Sequence, residues 1–80
     1  MNTYKIIHSS IVNNKTVISI NHKRDFSDYN TDSVLINGVP YRYSLTHNDY
    51  IFVVDTNDKI RDNLEIKFVN HFKSNKAVRV

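Results

Sequence analysis

The sequence predicts an all-β domain, a small antiparallel barrel or compact sandwich of six to seven strands. Three observations carry this expectation. β-Branched side chains number 23 among 80 residues (nine Ile, nine Val, five Thr), against one Ala and three Leu. Residues suited to a pleated surface therefore far outnumber strong helix formers. Apolar and polar residues alternate in several short runs, which is the period of a half-buried strand rather than of a helix. Finally, Asn37-Gly38 lies between Val34-Leu35-Ile36 and Val39-Pro40-Tyr41, and an Asn-Gly pair flanked by apolar runs is the strongest short-range hairpin signal.

The first two strands are expected over residues 3–11 and 15–22, on either side of Asn13-Asn14. Their register is open, because Tyr4, Ile6 and His8 alternate with Lys5, Ile7 and Ser9, and both sets contain apolar residues. The central stretch is better determined. A two-residue loop at Asn37-Gly38 sets Ile36 opposite Val39 and Val34 opposite Tyr41, with Tyr43 and Leu45 continuing that face. A second hairpin closed at His47-Asn48 sets Leu45 against Tyr50, Tyr43 against Phe52 and Tyr41 against Val54. Both turns keep one apolar face, which a one-residue slip would destroy. A three-stranded meander over residues 33–55 follows. Pro40, opposite Leu35, cannot donate to a ladder, so it marks a sheet edge or a strand start. Ile51 and Val53 fall on the reverse face beside Arg42 and Ser44, which points to partial cover there. Downstream, Leu64, Ile66, Phe68 and Phe72 mark one face of a long strand, with Glu65, Lys67, His71 and Lys73 on the other. A turn at residues 74–76 then leads to a short closing strand over 77–80.

Residues 55–63 lead into Leu64-Glu65-Ile66-Lys67-Phe68, a polar loop ending in an acidic residue that feeds a strand of alternating apolar positions. This stretch is similar to one found in SH3-like and translation-factor-type barrels. It lacks that pattern's usual Gly, with Arg61 near the point. The resemblance implies barrel architecture and no function.

Length and composition exclude several classes. Residues 1–80 form one domain. There is no Cys, hence neither a disulfide framework nor a Cys-based zinc site. The longest apolar run is Ile51-Phe52-Val53-Val54, and the N-terminus lacks the features of a signal peptide. The expected setting is therefore cytoplasmic, without a membrane partner. A chain this size buries only roughly 60–65% of its unfolded surface, so packing needs support, and a homodimer is one way to supply it. Eleven Asn, nine Ile and seven Lys stand against a single Gly, Pro and Ala. Amino acids with A/T-rich codons are thus in excess, which points to a phage or low-GC bacterium and to codon usage rather than chemistry as the source of the asparagines.

Chemistry-bearing patterns are sparse. Asp28-Tyr29-Asn30-Thr31-Asp32 copies the first ligand positions of an EF-hand loop, but Ser33 and Val39 stand where Gly and Glu are required. The reading is an Asx-rich turn. His8, His22, His47 and His71 show no metal-ligand spacing, and Asn14-Lys15-Thr16 fits a glycosylation pattern by chance. Glu65 is the sole Glu, and Gly38 is already used by the hairpin. No nucleophile–base pair or phosphate loop emerges, so neither enzyme activity nor a cofactor is expected. A ribonuclease-like His site is the one catalytic version left to test.

Charge is segregated along the chain. Residues 1–24 contain Lys5, Lys15, Lys23 and Arg24 and no acid. Residues 66–80 contain Lys67, Lys73, Lys76 and Arg79 and no acid. All eight acids fall between. If the first and last strands are neighbours, their basic residues pool into one patch. The competing reading is solvated lysines that protect strand edges. The eleven-residue connection 22–32 exceeds the usual 4–6 residues. It is either a helical turn that caps a barrel end with Phe26 and Tyr29, or a binding loop presenting Lys23, Arg24 and Tyr29.

The expected function is a small non-enzymatic binder of nucleic acid, RNA or single-stranded DNA, acting as a phage-type accessory protein on a host system. Its candidate contacts are Lys5, Lys23, Arg24, Tyr29, Lys67, His71, Lys73, Lys76 and Arg79. Tyr4 and Tyr29 are the available stacking rings, since Tyr43 and Tyr50 are assigned to the meander core. The alternative is a phage-type inhibitor that binds and blocks a host protein directly, through an edge strand or the 22–32 loop.

Overall fold

The computed structural model describes residues 3–25, 28 and 30–72. They form six strands, β1 (Thr3–Val12), β2 (Lys15–Ile20), β3 (Ser33–Ile36), β4 (Val39–Leu45), β5 (Ile51–Val54) and β6 (Glu65–Val69). Every pairing is antiparallel, and the sheet closes in the order β1-β2-β5-β4-β3-β6, with β6 returning to β1. The fold is thus a barrel rather than a sandwich. The closing strand expected at 77–80 lies outside the described residues, as do Phe26 and Tyr29. Among the described residues no helix is long and apolar enough to cross a membrane.

Local chemistry explains the hairpins. Asn37 and Gly38 both have positive φ, 52° and 82°, the type I′ pattern whose twist matches that of paired strands. Ile36 pairs with Val39 and Val34 with Tyr41 as expected. Asn13 and Asn14, at φ 50° and 68°, repeat the device between β1 and β2. Asn63, at φ 69°, is the fourth such residue, and it supplies the left-handed position just before β6 where no Gly is present. All four non-glycine residues with positive φ among those described are Asn. The asparagines at these points are therefore chemistry as well as codon usage, because Asn tolerates this region better than other side chains.

The second hairpin differs from expectation by two residues. Tyr43 pairs with Val54 and Leu45 with Phe52, and the loop spans residues 46–50. Side chains hold this longer loop. The Thr46 hydroxyl accepts the Asn48 amide at 3.1 Å and donates to the Ile51 carbonyl at 2.8 Å, and the Asn48 side chain accepts the Tyr50 amide at 2.9 Å. A slip of two preserves the face, so Tyr43 still packs on the core. Tyr50, however, leaves it and is 47% exposed. Pro40 lies opposite Leu35 at the start of β4, where only β3 pairs with it.

In β1, Ile6 pairs with Ile20 but His8 pairs with Ser19, so Ile7 is an extra, exposed residue. This bulge switches the inward set from Tyr4 and Ile6 to Ser9. The core contains Tyr4, Ile6, Ile18, Ile20, Val34, Ile36, Phe52, Val54, Ile60, Ile66 and Phe68. Phe68 sits among three rings, with centroids 5.0 Å from Tyr43, 5.2 Å from Phe52 and 5.5 Å from Tyr4.

Each barrel end is closed by a connection. At one end Ile60 enters from the 55–64 loop, which is tied to the strands by bonds from Ser9 Oγ to the Ile60 carbonyl and from Thr16 Oγ1 to the Asp58 carbonyl. At the other end the 21–32 connection carries buried Arg24 and Asp28. β6 stops at Val69, short of the long strand expected through Phe72. The chain then crosses β3, with the His71 amide donating to Ser33 Oγ and the Phe72 amide to Asp32.

Candidate nucleic-acid interface

The first and last described strands are neighbours, which brings Lys67 beside the first strand, while the expected closing strand and its cations lie outside the described residues. Thr3 pairs with Lys67, Tyr4 with Ile66 and Lys5 with Glu65. Because Tyr4 and Ile66 are buried, strand alternation sends Lys5 and Lys67 to the outer face, where they are diagonal neighbours across the seam. Glu65 lies on that face too, directly opposite Lys5.

The remaining candidates separate. Arg24 is not presented by its loop. It is 5% exposed, and its guanidinium lies 5.6 Å from the centroid of the Phe68 ring. Lys23 is exposed and faces Asp49 at 3.7 Å. His71 is not on the Lys67 face of β6, because the strand has ended; its ring packs edge-on to Phe72 at 4.8 Å. Tyr29, Lys73, Lys76 and Arg79 lie outside the described residues. Tyr4 is fully buried and cannot stack on a base from solution. Its ring packs on His22 at 4.6 Å.

A census of the described cations sharpens the picture. Lys15 is paired with Asp55, and Arg42 lies 4.1 Å over the Phe72 ring. Lys5, Lys59, Arg61 and Lys67 are exposed and pair with no acid. Lys59 and Arg61 escape a reading of charge runs because they sit within an acidic stretch. Their signal is the single apolar residue between them. Ile60 points into the barrel, which turns both flanking cations outward.

Tyr4 anchors the cap. Its hydroxyl donates to Asp28 at 2.6 Å and accepts the Asp25 amide at 2.6 Å. Burial, and then the carboxylates of Asp28 and Asp25, push its pKa up to about 12, against the opposing pull of the Asp25 amide. Asp28 is thus turned inward as a structural acceptor in the stretch that copies calcium-ligand positions. Among the described residues no three His, Asp or Glu side chains converge as a metal site. Comparison with known proteins finds no matching family model, curated protein or solved structure. Fold and surface together define a class: a small closed antiparallel barrel with a packed interior and a seam bearing free lysines.

Proposed function

We propose that this barrel is a non-enzymatic protein that binds single-stranded nucleic acid, RNA or DNA, on the outer face of the β1–β6 seam. The supporting observation is the pairing of β1 with β6, which sets unpaired Lys5 and Lys67 diagonally across one outer face, with Glu65 opposite Lys5. In sequence, Lys73, Lys76 and Arg79 follow and add three further cations with no acid. The core is filled by side chains, so a ligand meets the outside of the barrel. Small barrels of this kind bind single strands by tracking the backbone with cations and stacking bases on rings. The excess of amino acids with A/T-rich codons fits a phage-type accessory protein that acts on a host system.

The test is a titration of labelled single-stranded RNA and DNA by fluorescence anisotropy across a salt series, with any co-purified nucleic acid removed first. Binding is expected to weaken linearly in log salt, with a slope of about −0.7 per phosphate neutralised. Lys5→Ala and Lys67→Ala each flatten that slope, and replacing Lys73, Lys76 and Arg79 flattens it further. Absence of binding at low salt would overturn the proposal and direct the search to a host protein partner.

A further inference from the structure

Several concave features lie on the described surface. One, on the outer face of β4 and β5, holds the Lys15–Asp55 ion pair, so its charges are already answered. Another, beside Ser9 and Ile11, is about 220 Å³, below the roughly 300 Å³ at which small-ligand sites begin. A third, about 420 Å³, lies below the β3–β4 hairpin, between its tip and the 55–64 loop. Val39, Tyr41 and Leu64 line it together with Asp58, Lys59 and Arg61.

Tyr41 is the distinctive residue. The other strand tyrosines, Tyr4 and Tyr43, have their hydroxyls engaged by Asp28 and Thr31 and their rings packed against other rings. Half-buried Tyr41 has neither a side-chain hydrogen bond nor a ring partner among the described residues. An unstacked phenol in a groove lined also by two unpaired cations suits a planar group attached to an anion.

We infer that this groove is a base-binding position, in which one nucleobase of a single strand stacks on Tyr41 while its phosphate meets Arg61 and Lys59. The inference rests on the nucleic-acid reading above and adds to it the point where the strand turns from the seam onto the barrel end.

The experiment is photo-crosslinking of a single-stranded RNA carrying 5-iodouridine, with the attachment site mapped by mass spectrometry. It is paired with anisotropy titrations of Arg61→Ala, Lys59→Ala, Tyr41→Phe and Tyr41→Leu. Expected are a cross-link at Tyr41, retained affinity in Tyr41→Phe, and a loss of at least about fivefold in Tyr41→Leu, the lower end of what one base–aromatic stack contributes. Arg61→Ala, an exposed change that leaves the fold intact, weakens binding in parallel and stands in if Tyr41→Leu does not fold. Strong RNA binding with cross-links only elsewhere, or with Arg61→Ala and Lys59→Ala indistinguishable from the parent, overturns the groove and leaves the seam standing. No binding of single-stranded RNA or DNA at low salt overturns both.

Discussion

The Tyr4 hydroxyl donates to the buried Asp28 carboxylate at 2.6 Å, joining the first strand to the connection that closes one end of the barrel. The same oxygen accepts the Asp25 amide, so one phenol holds two points of the cap. Tyr4→Phe keeps the ring contacts with Phe68 and His22 but leaves Asp28 without this donor. Loss of a buried partner costs about 1–3 kcal/mol, and each kcal/mol lowers the melting temperature of a domain this size by roughly 4–8 °C. Amide exchange in residues 21–25 is expected to rise in the variant. Unchanged exchange there would show that the phenol does not hold the cap.

The same group governs alkaline stability. Its pKa in the folded protein, about 12, lies above the ordinary 10.0, so folding favours the neutral phenol. The contribution is complete below about pH 10 and is lost as pH rises through about 12. Urea midpoints measured between these limits should fall more steeply for the parent than for Tyr4→Phe. Parallel curves would remove Tyr4 as the responsible group.

Phe68 is the keystone of the ring cluster. Phe68→Ala opens a cavity among Tyr4, Tyr43 and Phe52 and should cost about 3–5 kcal/mol. For 80 residues the whole stability is on the order of 4–12 kcal/mol, so this variant is expected to lose a large share of it and to unfold at a much lower urea concentration than the parent. Phe68→Leu should stay folded at a smaller cost. Circular dichroism and urea unfolding distinguish these outcomes, and a Phe68→Ala protein as stable as the parent would disprove the cluster's role.

Asn63 supplies the left-handed turn into β6. Asn63→Gly should be neutral or mildly stabilising, whereas Asn63→Val should lose about 1–2 kcal/mol, the cost of forcing a branched residue to positive φ. The order of the two melting temperatures is the readout, and equal values would contradict the strain argument.

Lys15 holds the Asp55 carboxyl below its ordinary range, first by hydrogen bonding and then by charge, with Arg42 adding to it. A lowered pKa stabilises the fold above the ordinary value and loses that effect as pH falls. Lys15→Ala should raise the Asp55 pKa toward 3.8 in an NMR titration. Because both groups are exposed, the change should appear in the titration far more than in unfolding. An unmoved Asp55 would assign the shift to another cause.

Much of this architecture was legible locally. Val34, Ile36, Val39 and Tyr41 share a face because side chains alternate along a strand, and Asn37-Gly38 sets their register through a turn that needs two positive φ values. The register at Thr46–Tyr50 was not legible, since a two-residue slip preserves the same apolar face and is decided only by where Thr46 and Asn48 hydrogen-bond. The candidate interface was legible in part. Lys67 followed from alternation beside Ile66, whereas Lys5 followed only from the acid-free run at residues 1–24, because both faces of its strand carry apolar residues. Arg24 could not be read as buried, because a charge in a polar loop gives no sign of the Phe68 ring it will cover. Lys59 and Arg61 were hidden by neighbouring acids until Ile60 was seen to plug the barrel.

The sequence by itself determined that the chain is β-rich, where its hairpins turn and which side chains share a strand face, because those properties depend on φ preferences and a two-residue repeat within a few neighbours. Only the tertiary structure decided that β6 returns to β1, that β2 lies against β5, and that Arg24 and Asp28 point inward. Those are contacts between residues far apart in the chain, selected by how eleven core side chains fill one interior.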